Sequence, residues 1–138
     1  MSTKKATAAN GHEKSNYAGA RILIAEDQPE VLALLVRTFE SAGYRIEAAA
    51  NGDQALKLFH ANGPFDVLVT DIVMPGDLSG PQLASACREH AANLPVVFLT
   101  GYSSGGIAQM NNPHDDDLCL MKPVPKSELL RAVGSVLS

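Results

Sequence analysis

Four short runs of the chain are apolar almost without interruption: Arg21-Ile22-Leu23-Ile24-Ala25, Phe65 to Thr70, Pro95 to Leu99, and Leu118-Cys119-Leu120-Met121. All four read as strands: Arg21 to Ala25 as a buried one, and Pro95 to Leu99, continuous and apolar, as one covered on both faces. Between them lie stretches with apolar residues at helical spacing. Pro29, favoured in a first helical turn, precedes Val31, Leu34, Leu35, Thr38 and Phe39, and Gly43 closes that stretch. Asn51-Gly52-Asp53 opens a second, carrying Ala55, Leu56, Leu58 and Phe59 and ending at Asn62-Gly63-Pro64. A third runs from Ser79 to Glu89 with Leu83, Ala84 and Cys87 inward, and the last from Lys126 to Leu137 with Leu129, Leu130, Val133 and Val136 inward. A further strand covers Tyr44 to Ala49, and a weak helix spans roughly Gly105 to Met110, its glycines opposing helix formation. Strand and helix alternate throughout. That pattern predicts a doubly wound α/β sheet whose right-handed crossovers place helices on both faces.

In such sheets ligands bind beyond the carboxyl ends of the strands. Glu26, Asp27, Asp71, Thr100 and Lys122 all fall there. Carboxylates gathered at one edge repel each other unless a cation sits among them, and a hard cation with oxygen ligands and open positions is usually magnesium. Taken singly, these residues have ordinary readings: an Asp after a strand is a cap or turn former, and a Lys before Pro is a solvated surface residue. Their coincidence at one edge favours a site. The run Asp115-Asp116-Asp117 precedes its strand, so it lies at the opposite edge and reads as a solvated loop.

Composition removes several functions. A chain of 138 residues suits one domain, and a net charge of -4 without a basic stripe argues against nucleic acid as a partner. Cys87 and Cys119 lack metal-ligand spacing and read as reduced core thiols of a cytoplasmic protein. No apolar run is long enough to span a bilayer, and no secretory signal follows the first lysines. Residues 1–19 are small and polar, which predicts a flexible tail ahead of a domain over 20–138.

The residues at the strand ends resemble the receiver domains of two-component response regulators, those of chemotaxis regulators and hybrid histidine kinases among them. Five separated features carry the resemblance. The pair Glu26-Asp27 follows the first strand; Asp71 is followed by Ile72-Val73-Met74-Pro75 and later Gly80; Thr100-Gly101 ends the fourth strand; Lys122-Pro123 follows the fifth. The resemblance implies a flavodoxin-like fold, a five-stranded parallel sheet in the order 2-1-3-4-5. It implies that Asp71 takes a phosphoryl group from a phosphohistidine on a sensor histidine kinase or histidine phosphotransfer protein. Mg2+ would be held by Asp71, Asp27 and the main-chain carbonyl of Val73, with Glu26 acting through bound water. Lys122 and Thr100 would contact the phosphoryl oxygens, and Gly101 would leave room for the group. A downstream target protein would read the result.

Two departures from the family pattern stand out. The switch position on the fifth strand, commonly aromatic, is Cys119, so output is expected to run through reshaping of the loop from Thr100 to Asn112. The segment from Pro75 to Gly80 is one residue longer than the commonest spacing. Val73 and Tyr102 occupy the positions flanking the path of attacking water; neither orients it well, so a long-lived phosphoryl group is expected. Rival functions would need other residues at these positions. A flavin carrier would need a phosphate loop where Glu26-Asp27 stands, and a carboxylate-nucleophile hydrolase would want a second acid where Val73 stands. A degenerate receiver, binding partners without phosphorylation, is the remaining alternative. The sequence offers no stretch for an output domain after the last helix, so a complete chain would be expected to act by binding partners.

Overall fold

The computed structural model describes residues 19–101 and 117–138. The tail before Gly19, the helix expected at 105–110, the rest of its loop to Asn112, Tyr102, Asp115 and Asp116 lie outside the described residues. The elements are β1 (Arg21–Ala25), α1 (Pro29–Ser41), β2 (Arg45–Ala49), α2 (Gly52–Asn62), β3 (Val67–Asp71), α3 (Gly80–Arg88), β4 (Val96–Thr100), β5 (Leu118–Met121) and α4 (Lys126–Leu137). All pairings are parallel, and the order is β2-β1-β3-β4-β5. Strand order therefore reverses between β1 and β3, which places a crevice at their carboxyl ends.

Every residue of β3 and β4 is buried, as is all of β1 after Arg21. That follows from helices on both faces. One face packs Leu23, Leu68 and Phe98 against Phe59 of α2 and Leu83 and Cys87 of α3. The other packs Ile24, Val69 and Val97 against Leu35 and Phe39 of α1 and Leu129 and Val133 of α4. Burying each such side chain contributes about 1.5–3 kcal/mol, so the sheet centre is the rigid part of the molecule.

The helix boundaries follow from capping. Asn51 Oδ1 accepts from the Gln54 backbone N–H at 2.8 Å and opens α2. Ser79 and Gln82 form a reciprocal capping box at α3, so Ser79 and Glu89 are its caps rather than its first and last turns. Gly43, at φ +99°, turns the chain from α1 into β2. β3 and β4 each begin and end later than the apolar runs suggest, because Asp71 and Thr100 keep strand geometry and strand pairing to their ends.

Three expectations need correction. Leu34 is 51 % exposed rather than part of the α1 core face, because it lies to the side of the stripe formed by Leu35, Thr38 and Phe39. Cys119 is exposed, because β5 is an edge strand and its burial alternates, so Cys119 shares the outer face with Met121. Asp117 is not a solvated loop residue: its side chain is 2 % exposed and takes both oxygens to Arg88, at 2.6 and 3.1 Å. Among the described residues, no helix is long and apolar enough to cross a membrane.

Candidate functional site

β1, β3, β4 and β5 end together, and their last residues or the turns behind them line one cavity of about 370 Å³. Its walls include Asp27, Gln28, Asp71, Val73, Thr100 and Lys122. Asp71 is the final residue of β3, where the pleat and the pairing to Leu99 fix its backbone. Behind it the chain turns tightly: the Ile72 backbone N–H donates to Leu99 O at 2.9 Å, and the Gly80 N–H donates to Ile72 O at 2.8 Å. Gly80 lies so close to the Asp71 carbonyl that any Cβ there would collide with backbone. Glycine at that position is thus a packing requirement for the end of β3, not only for the start of α3. Thr70 Oγ1 donates to the Asp71 carbonyl oxygen at 3.0 Å, a further tether.

Two acidic residues meet one ammonium. Lys122 Nζ lies 2.8 Å from Glu26 Oε1 and 2.8 Å from Asp71 Oδ1, and the Lys122 backbone N–H donates to Thr100 O at 2.8 Å. Glu26 is fully buried, and its Oε2 accepts from the Gln28 N–H at 3.0 Å. It therefore fixes both Lys122 and the turn into α1, a part that spacing alone did not suggest. Asp27 is exposed, and a carboxylate oxygen from each of Glu26, Asp27 and Asp71 can gather within 4.8 Å.

Among the described residues the charges do not balance: Lys122 offsets one carboxylate of three, and Asp71 Oδ2 is buried with no hydrogen-bond partner. The contacts from Lys122 to Asp71 Oδ1 and Glu26 Oε1 are short and charge-assisted. Burial raises the Asp71 pKa to about 8, Lys122 opposes that rise, and the neighbouring Glu26 adds to it. For Lys122, burial works against the charge, but the hydrogen bonds and charges of Asp71 and Glu26 prevail and raise its pKa. An unsatisfied buried carboxylate oxygen beside two further acids is what a hard divalent cation with oxygen ligands relieves. The donor set fits Mg2+.

The structure brings together Glu26, Asp27, Asp71, Val73, Thr100 and Lys122 around one cavity or its wall contacts. Thr100 is buried at the end of β4, and Val73 is 56 % exposed at the rim. At Gly101 no described atom lies within 4 Å of where a Cβ would stand, so packing does not demand glycine there. The longer segment before α3 is tied to α2: the Asp77 N–H donates to Asp53 Oδ2 at 3.3 Å, Gly76 turns with φ +99°, and Leu78 packs where Gly52 has no side chain. Gln28 and Gly80 complete the site. Neither carries a charge, so sequence alone gave Gln28 no signal, and Gly80 only that of a small residue at fixed distance from Asp71.

A second, more apolar cavity of about 340 Å³ adjoins the first, lined by Val31, Leu34 and Leu35 of α1 and by Pro123, Val124 and Leu129. Gln28, Leu99 and Lys122 belong to both.

Residues 22–134 match the model of the response regulator receiver domain. The chain is 32 % identical over 117 residues to the response regulator receiver protein CpdR of Brucella abortus, covering 85 % of this chain and 96 % of that one. It is 32 % identical over 120 residues to the sensor kinase CckA of the same organism, covering 86 % of this chain but only 12 % of the kinase. Among solved structures, a response regulator receiver protein from Sinorhizobium medicae superposes with a TM-score of 0.78 at 29 % identity, over 86 % of this chain and 94 % of that one. The chain belongs to the response regulator receiver domain family, signalling domains of two-component systems that take Mg2+ at an acidic pocket and work with histidine kinases and downstream effectors.

Proposed function

We propose that the chain is a working phosphoacceptor: Asp71 receives a phosphoryl group from a partner's phosphohistidine, and the resulting charge at the cavity alters partner binding. One observation carries the reading. Asp71 Oδ2 is buried, lacks a hydrogen-bond partner and sits among two more acids at the mouth of a cavity. A merely structural aspartate would be satisfied, as buried polar groups nearly always are.

In the proposed reaction an Asp71 carboxylate oxygen attacks phosphorus, the P–N bond breaks, and the imidazole nitrogen leaves with the bonding pair. Mg2+, held by Asp71, Asp27 and the Val73 carbonyl with Glu26 behind them, would neutralise charge on the transferred oxygens. Lys122 stays within reach of Asp71 and supplies the remaining positive charge as a compact point donor. Its second contact, to Glu26, keeps the ammonium at the site before the phosphoryl group arrives. Thr100 presents its hydroxyl from the end of β4. The transferred group adds about -1.5 to -2 charges. Output follows from that charge drawing on Thr100 and the chain beyond it, and Cys119, in place of an aromatic residue, moves the signal away from a ring flip.

The upstream partner is a sensor histidine kinase or a histidine phosphotransfer protein, and the setting is the cytoplasm. The apolar cavity beside the acceptor supports a protein donor, because it shares Gln28 and Lys122 with the acidic one and offers Leu34 and Val31 to a docking helix. Val73 at the rim gives no side-chain hydrogen bond to an attacking water, which supports a long-lived phosphoryl group. Exchanging Val73 for Asn should hasten its loss.

The test is phosphoryl uptake from acetyl phosphate. Uptake is expected in Mg2+, and is expected to vanish in Asp71→Asn and with a chelator. Uptake that is absent from the native chain in saturating Mg2+, or unchanged in Asp71→Asn, would favour a phosphorylation-independent interaction module.

A further inference from the structure

The opposite edge of the sheet carries a pair of imidazoles that the phosphoacceptor does not use. His60 lies in the last turn of α2 and His90 just beyond the end of α3, and their ring centres are 5.0 Å apart. Both are exposed. Each is set on a firm base. The His60 ring packs edge-on against Phe59, with centres 5.5 Å apart, and Phe59 stacks on Phe65 in the core. The His90 backbone N–H donates to Cys87 O at 3.0 Å, and neighbouring Arg88 is locked to Asp117 and Leu94 O.

We propose that His60 and His90 together bind a borderline divalent transition-metal cation of the Zn2+ class, clamping the ends of α2 and α3. Imidazole nitrogen is a preferred ligand for such ions and a poor one for Mg2+, so the site is chemically separate from the acidic cavity. The spacing fits. A metal about 2.1 Å from a ring nitrogen lies about 3.2 Å from the ring centre, so two rings sharing an ion at about 90–110° have centres about 4.5–5.2 Å apart. The rings stand at 89° to each other, edge to face, so a nitrogen of each must be turned toward the shared position. Rotation about χ2 does this, because that torsion is broad and both rings are exposed; for His60 it exchanges the edge contact with Phe59 for the metal bond. Among the described residues no third His, Cys, Asp or Glu joins the pair, so water completes the coordination.

The test is calorimetric titration of ZnCl2 into the full chain in saturating Mg2+, with native, His60→Ala, His90→Ala and Asp71→Asn proteins. Thermal melts without zinc show that each variant folds. The native chain is expected to bind zinc, each histidine substitution to weaken that binding at least about fivefold, and Asp71→Asn to leave it within about twofold. No binding to the native chain, a smaller loss in either histidine variant, or a larger loss in Asp71→Asn would overturn the proposal. The first two results would leave the rings as an edge-to-face packing contact, and the third would assign the zinc to the acidic cavity.

Discussion

The chain buries charge at both edges of its sheet and treats the two places differently. At the amino-terminal edge, Arg88 meets Asp117 through two hydrogen bonds and gives Leu94 O two more. Among the described residues one guanidinium faces this carboxylate, and both carboxylate oxygens accept from it. At the carboxyl edge, Lys122 pairs with Glu26 and Asp71, Asp27 lies beside them, and among the described residues Asp71 Oδ2 has no hydrogen-bond partner. Both clusters are built on the same parallel sheet, so the fold does not dictate the imbalance. The first pair anchors the start of β5, whereas the second cluster leaves buried carboxylate oxygens of the kind a hard cation relieves.

The contrast can be broken most forcefully at the balanced pair. Arg88→Ala strands a buried carboxylate and should cost about 3–5 kcal/mol in urea unfolding; a loss under 1 kcal/mol, on the scale of an exposed pair, would show that the pair is not truly buried. At the unbalanced cluster the largest effect comes from the ion. Mg2+ at a hundredfold excess over its dissociation constant should stabilise the chain by about 2.7 kcal/mol, seen as a rise in Tm. Asp27→Asn should remove most of that rise. Smaller, and opposite in sign to the Arg88 effect, is Asp71→Asn without divalent cations. It should stabilise the chain by about 1 kcal/mol near pH 8, as relieved functional sites do.

The pH dependence separates the two clusters further. The folded pKa of Asp71 lies above its unfolded value, at about 8 against 3.8, so the folded chain holds this proton more tightly. Its contribution to stability is full below pH 3.8 and is lost as pH rises through about 8. Metal-free native protein should thus lose stability between pH 5 and pH 8 relative to Asp71→Asn, and parallel unfolding curves for the two would refute the shift. The smallest effect lies between the clusters, at the cap that starts α3 behind the acceptor loop. Ser79→Ala should cost about 0.5–1 kcal/mol without altering Mg2+ binding.

Much of this was legible in the chain. Continuous apolar runs mark the buried strands β1 and β4, and charged residues at strand ends mark the carboxyl-edge cluster, because strand polarity alone decides which edge a terminal residue occupies. The weak points were lateral. Leu34 matches the helical period but lies off the buried stripe, and Cys119 sits in an apolar run that becomes an edge strand. Neither neighbour is visible to local periodicity. Asp117 misled for the same reason: in sequence it ends an acidic run, while the arginine that buries it is 29 residues away. The resemblance implies a metal helper at Glu26, and its grip on Lys122 and the Gln28 N–H depends on side-chain geometry that no spacing rule contains.

The central claim is that the unbalanced cluster exists to load Asp71. The most direct measurement is to saturate the native chain with acetyl phosphate and Mg2+, trap the acyl phosphate by borohydride reduction, and locate the reduced residue by peptide mass spectrometry. The account predicts reduction at Asp71, with Glu26 and Asp27 untouched. Reduction at another acid, or none while Mg2+ is bound, would contradict it.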